Sequence, residues 1–214
     1  MKFPNLARIA KTAFGAQTIH PPYSHTVQIG DPVLRSKCME IPRETIKSNE
    51  VQTLINHMIK IMRESNCVGL ACNQLGMPYQ IMTLEFTEKR KKDFPPSVYK
   101  AREMQTLPLT VIINPKLTVT NFEKIAHVES CQSVRGYSGE VSRYKGVAIE
   151  GFNENGEAKK WEFNGWNARI AQHEVDHLNG VVYTDKMDPK TFICTIWEAV
   201  NSRGGRVQLP FFVK

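Results

Sequence analysis

Two histidines four residues apart, His173 and His177, carry Glu174 directly after the first. Of all residues in the chain, their types and spacing point most directly to chemistry. An α-helix turns once per about 3.6 residues, so positions four apart lie nearly above one another, and two imidazoles so placed can grip one ion. Glu174 then projects to one side, where a water would sit. That suits hydrolysis, in which an ion polarises a carbonyl and acidifies water while the glutamate carries the proton. The competing reading is a solvated helix face on which Asp176 pairs with either imidazole. The neighbours favour a buried helix: Ile170, Ala171, Val175 and Leu178 are apolar, and Asn179-Gly180 supplies a stop.

A hydrolytic site of this kind has three protein ligands and one open position. The longer pattern His-Glu-x-x-His-x-x-Gly-x-x-His holds as far as Gly180 and then meets Tyr183, and no histidine follows His177. Downstream the candidate third ligand is Glu198, at a distance a metallopeptidase would use; upstream are His127 and the cysteines. Cys131, in "HVESCQSV", follows a strand-like run, and a thiolate binds divalent transition metals strongly. A buried cysteine can equally be inert packing. Spacing alone leaves Cys131 and Glu198 both open.

Three segments resemble the peptide deformylase family in the family's order. "VGLACNQLG" is similar to its Gly-x-Ala-x-x-Gln segment, "ESCQS" to Glu-Gly-Cys-Leu-Ser, and "QHEVDHL" to Gln-His-Glu-x-Asp-His-Leu. "GDPVLR", "INP" at 113–115 and the strand from Val141 through Arg143 agree, so the resemblance runs from about Gly30 to Asp188. It is nearest to the animal mitochondrial branch, which shares "CVGL" and ends in a helix containing Trp. The resemblance implies removal of formyl from the N-terminal methionine of nascent chains. Cys131, His173 and His177 would hold Fe(II), or zinc or cobalt in its place, and Glu174 would move the proton. The oxyanion would be met by the Gln74 amide and the backbone N–H of Gln132. Gly69 would let the substrate backbone approach, with Val68 and Leu70 bordering the channel and Ser130 beside it. Asp176 would orient an imidazole, and Glu129 and Arg143 would pair to fix the cysteine loop. Two other classes stay open: a metallopeptidase using Glu198, and a catalytically weak factor associated with RNA or the ribosome.

The chain departs from the family pattern at Ser130, where glycine is usual, at Gln132, where leucine is usual, and at Cys67 and Cys72, which replace small residues. If position 130 needs a glycine-only conformation, serine there strains the cysteine loop and slows the enzyme.

The elements that must position these groups read as α+β, with antiparallel sheets packed around a central helix that carries the His-Glu-x-x-His motif. Val51, Leu54, Ile55, Met58 and Met62 mark an amphipathic helix between Ser48 and Asn66, in which His57 is a satisfied side chain. "YQIMTLEF" reads as a strand, and "LTVIINPKLTV" and "EKIAHVES" as strands leading into Cys131. "GVAIEGF" and "KKWEF" flank the hairpin signal "NENG". The motif helix spans about 165–178, "VVY" is a short strand, and Asp188-Pro189 starts a last helix with Ile193, Ile196, Trp197 and Val200 on its apolar face. Trp166, Trp197 and Phe192 read as core.

With 214 residues and 41% hydrophobic content, the chain suits one globular domain, and no apolar run reaches a membrane span. Its five cysteines form no paired framework, which points to a reducing compartment. The first acid is Asp31; before it Lys2, Arg8 and Lys11 alternate with Phe3, Leu6, Ile9, Ala10 and Phe14, as in a mitochondrial presequence. Residues 1–25 are therefore read as a targeting leader to the mitochondrial matrix, 26–201 as the catalytic domain and 202–214 as a tail. The net charge of +7 comes partly from "EKRKKDFPP", read as a solvated basic insertion loop over 87–106. A positive surface suits work beside RNA, so the mitochondrial ribosome is a candidate partner. A homodimer is compatible with the reading.

Overall fold

The computed structural model describes residues 20–211. Six strands, β1 (Gly69–Ala71), β2 (Ile81–Phe86), β3 (Leu107–Ser130), β4 (Tyr137–Phe152), β5 (Ala158–Asn164) and β6 (Ile193–Cys194), form one antiparallel sheet. Its order is β1-β2-β3-β4-β5, with β6 added to β4. The α+β class is as expected, but the strands make one sheet, with the two long helices on its opposite faces. Strand side chains alternate between faces, and the sequence of β2 shows which helix each face meets. Met82, Leu84 and Phe86 pack with Ala168, Ile170 and Ala171 of α4 (Gly165–Leu178), the motif helix. Ile81 packs with Ile55, Met58 and Met62 of α1 (Asn49–Glu64).

Helix α1 begins where the Ser48 hydroxyl accepts from Val51 N–H; Leu54, Ile55, Met58 and Met62 are buried as the periodicity predicts, Ile61 joins them, and Val51 is only half-buried. Helix α4 ends at Asn179, after which Gly180 takes φ +75 and donates its N–H to the His177 carbonyl at 3.0 Å. A side chain at Gly180 would meet the Arg35 carbonyl oxygen at 2.6 Å, so the glycine also permits close passage of the N-terminal segment.

Four expectations are corrected. The two runs before Cys131 are a single strand, β3, interrupted by register shifts rather than by a break. The insertion carries two short helices, α2 (Glu88–Lys91) and α3 (Pro96–Ala101), because Phe94 and Tyr99 pack on Phe86 of β2. "VVY" is no strand: Val182 and Tyr183 are fully buried and lead into a 3-10 turn, Tyr183–Asp185. The last helix is only α5 (Trp197–Ser202), since Ile193 and Cys194 pair with Ser138 and Tyr137 instead. Phe192 and Trp197 are consequently 41% and 55% exposed, not core.

Most of the leader lies outside the described residues. From Tyr23 onward the chain is tied to the domain, Tyr23 N–H donating to Leu75 O at 2.9 Å and Val27 N–H to Gln74 O at 2.8 Å. No helix among the described residues is long and apolar enough to cross a membrane.

Candidate metal centre and active site

His173 and His177 rise from α4 as adjacent-turn neighbours, their ring centroids 4.9 Å apart. Cys131 stands in the turn that leaves β3, closed by Val134 N–H donating to its carbonyl at 3.0 Å. The ligand atoms of Cys131, His173 and His177 lie within 4.8 Å of one another, the one such group among the described residues. Cys131 Sγ is 3.2 Å from His177 Nε2. The sulfur also receives Ser133 N–H at 3.3 Å and the Gln74 amide at 3.4 Å. Glu198 takes no part: it is exposed on α5 and outside this group.

The first histidine is oriented by a buried charge network. His173 Nδ1 meets Glu129 Oε2 at 3.0 Å, which leaves Nε2 to face the sulfur and its partner histidine. Glu129 is gripped through both oxygens by Arg143, at 2.9 Å each, and by Arg169 at 2.6 Å. Burial alone would raise the Glu129 carboxyl, but the hydrogen bonds from His173 and Arg143 outweigh it and hold it well below the usual carboxylate range. The expected Glu129–Arg143 pair is thus present. Asp176 is not the imidazole's partner: it accepts from Arg143 and from Lys186 Nζ at 2.6 Å. Glu129 does the orienting. A thiolate and two imidazoles, one already fixed by a carboxylate on its far nitrogen, fit a divalent transition metal.

Glu174 sits beside this group, 4% exposed, with Oε2 unpartnered among the described residues. Burial, against a downward pull from His173, raises its carboxyl to about 7. Its side chain crosses the face of Gly69, where a Cβ would lie 2.4 Å from Oε1. The glycine therefore leaves room for Glu174, which spacing could not show. Leu70 points away, fully buried in the α1-side core, and does not border the site. Val68, Gly69, Gln74, Ser130, Cys131 and Gln132 all line one cavity of about 460 Å³ with His173 and Glu174. Gln132 forms no hydrogen bond through its backbone N–H among the described residues, and its carbonyl accepts from Thr26 Oγ1 and Gln28 Nε2. Ser130 ends β3 opposite Ser138 and is not among the positive-φ residues, so no glycine-only conformation is strained there.

Sequence reasoning missed Ser133, which accepts from the Gln74 amide at 3.2 Å, and Arg169. Arg169 had left a signal: it lies four residues before His173, one helical turn away on the same face of the motif helix. It also missed the insertion, whose Arg90 and Phe94 reach the cavity wall.

Comparison with known proteins agrees with this geometry. A family model described as polypeptide deformylase matches residues 24–192. The chain is 41% identical over 181 residues to the mitochondrial peptide deformylase of Homo sapiens, covering 85% of this chain and 74% of that protein. It is 43% identical over 166 residues to the chloroplastic peptide deformylase 1A of Solanum lycopersicum, covering 78% of this chain and 60% of that one. A peptide deformylase from Synechococcus elongatus, solved in complex with actinonin, has a TM-score of 0.66 at 28% identity and covers 90% of this chain and 92% of its own. A class I type b enzyme from Acinetobacter baumannii with Met-Ala-Ser bound gives 0.68 at 26% identity, covering 77% and 98%. With the ligand group, the glutamate beside it and most of the chain in agreement, this protein belongs to the polypeptide deformylase family.

Proposed function

We propose that this chain is a metal-dependent hydrolase that removes the formyl group from the N-terminal methionine of newly made polypeptides. The observation that carries the reading is Glu174, a buried carboxylate with a free oxygen, facing the cavity beside Cys131, His173 and His177. Those three residues would hold the ion, Fe(II) by preference with zinc or cobalt as substitutes, since the thiolate suits each of them. A bound ion would polarise the formyl oxygen and acidify a water. Glu174 accepts the proton of the attacking water and returns it to the departing amine. The Gln132 N–H, and the Gln74 amide on exchanging one of its present acceptors, Cys131 Sγ or Ser133 Oγ, meet the charge that develops on the formyl oxygen, a contribution of roughly 3–4 kcal/mol per donor in comparable sites. Val68 and Ser130 border the path of the peptide, and Gly69 leaves Glu174 its place beside it.

The names of the human and tomato relatives place those proteins in mitochondria and chloroplasts. With a basic N-terminus free of acids, they support import of this chain into mitochondria, with the matrix as its destination. The basic surface supports work close to the mitochondrial ribosome. The deciding experiment is an assay of formyl-Met-Ala-Ser on anaerobically purified protein with iron, zinc and cobalt measured. Turnover that tracks bound iron is expected; protein with bound metal that fails to deformylate would overturn the proposal.

A further inference from the structure

The insertion over 87–106 reaches the catalytic cavity, and what it presents there is a cation without a hydrogen-bonding partner among the described residues. Phe94 lies edge-on to Phe86 at 6.0 Å and Tyr99 stacks on the same ring at 6.4 Å, which fixes the insertion to β2. Arg90 lines the cavity together with Phe94. Its Nε and Nη1 are shielded from solvent and meet no hydrogen-bond partner among the described residues. The nearest carboxylate is Asp93, half-exposed, with Oδ2 3.6 Å from Nε, beyond good hydrogen-bond reach. A partly buried guanidinium with two shielded nitrogens and no hydrogen-bond acceptor among the described residues calls for a reason, because their desolvation costs free energy that the loose, half-exposed ion pair with Asp93 returns only in part.

The rest of the wall gives that reason a sign. Four arginines (Arg90, Arg102, Arg135, Arg169) and two glutamates (Glu129, Glu174) line the cavity. Glu129 is already committed to Arg143, Arg169 and His173, and Arg102 lies over the Trp166 ring at 4.8 Å. The wall therefore carries surplus positive charge, concentrated by its low-dielectric surroundings.

Taking the deformylase reading as its base, we propose that Arg90 is a specificity-determining residue that selects peptides with an acidic side chain shortly after the formyl-methionine. A carboxylate matches the planar fork of a guanidinium and accepts from it through both oxygens, whereas a neutral amide of the same shape gains far less.

The test compares kcat/KM for isosteric pairs with amidated C-termini: formyl-Met-Asp-Ser against formyl-Met-Asn-Ser, and formyl-Met-Ala-Asp against formyl-Met-Ala-Asn. At low salt the acid is expected to be favoured by about tenfold in at least one pair, the scale of one hydrogen bond between charged groups, and less at high salt. In Arg90→Gln the ratio should fall to near unity, while Arg90→Lys, which keeps the charge, should retain part of it. Reading a ratio cancels any general change of rate from a disturbed insertion. A native ratio near one, or an acid preference that survives in Arg90→Gln, overturns the proposal while leaving the deformylase intact. Equal loss of preference in both variants overturns it as well. Turnover of no formylated peptide removes the deformylase reading and this inference together.

Discussion

Substituting Gly69 by alanine tests whether Glu174 is the proton carrier without touching Glu174. The new Cβ would stand 2.4 Å from Oε1 and 2.8 Å from Cδ and Cγ of Glu174, whereas ordinary contact begins near 3.4 Å. The carboxylate must therefore retreat by about 1 Å, and a displacement of that size at a reacting group costs on the order of 10²-fold in rate. No metal ligand is altered, and alanine fits a strand backbone. The expectation for Gly69→Ala is a fall in kcat of about 10² on formyl-Met-Ala-Ser, with KM and metal content close to native. The assay includes Glu174→Gln, expected to lose about 10²–10⁴ with metal retained, and the double variant. If the alanine acts through Glu174, the double variant is no worse than Glu174→Gln, because the group it displaces has already been disabled. The reasoning is refuted if Gly69→Ala turns over at the native rate. It is equally refuted if the two losses multiply and KM rises, since the glycine would then serve the approach of the peptide backbone.

The metal assignment predicts that Cys131→Ala loses stoichiometric metal while Glu198→Ala keeps it; the reverse, read by elemental analysis, would restore the peptidase geometry. Arg143→Met leaves Glu129 and Asp176 buried without their shared cation, so urea unfolding should show a loss of about 3–5 kcal/mol; a change below ~1 kcal/mol would mean the network contributes little. Because the folded Glu129 carboxyl is held low, its contribution is full at neutral pH and disappears as pH falls through that lowered value; in Arg143→Met, acid unfolding should begin at a higher pH. Ser130→Gly is expected to gain no turnover and to lose about 0.5–1 kcal/mol of stability, since Ser130 is already an extended strand residue; a severalfold gain in kcat would revive the glycine-only reading. Residues 1–25 fused to a fluorescent reporter should carry it into mitochondria, and a diffuse cytosolic signal would refute the leader.

What was legible in the sequence was whatever a local period or an ordered set of motifs could carry. The spacing of His173 and His177 sets both on one face of α4, and the amphipathic period of α1 picked out its buried side correctly, because each depends only on the 3.6-residue turn. Cys131 was not settled by spacing, and it took the resemblance to prefer it to Glu198. The failures share a different cause. Asp176, one residue before His177, looked like the partner of an imidazole, yet Glu129 arrives from β3, 44 positions away, and takes that place. Asp176 turns instead to Arg143 and Lys186. Which of two acids reaches a histidine is decided by strand pairing, and no local pattern records that.

The same holds for two readings made from local composition. Asp188-Pro189 is a sound helix start, but the following residues gain more from the sheet: Thr195 N–H donates to Gly136 O at 2.9 Å, and Ile193 and Cys194 pair with β4. An open strand edge outcompeted the helix signal, leaving Phe192 against Tyr137 with ring centroids 5.1 Å apart. In the insertion, the lysines and paired prolines dominated the reading, while Phe94 and Tyr99 were the informative residues. Aromatic side chains in a charged loop need a surface to bury them, and Phe86 provides it. Once anchored there, a loop that looked merely solvated becomes part of the cavity wall and contributes Arg90 to it.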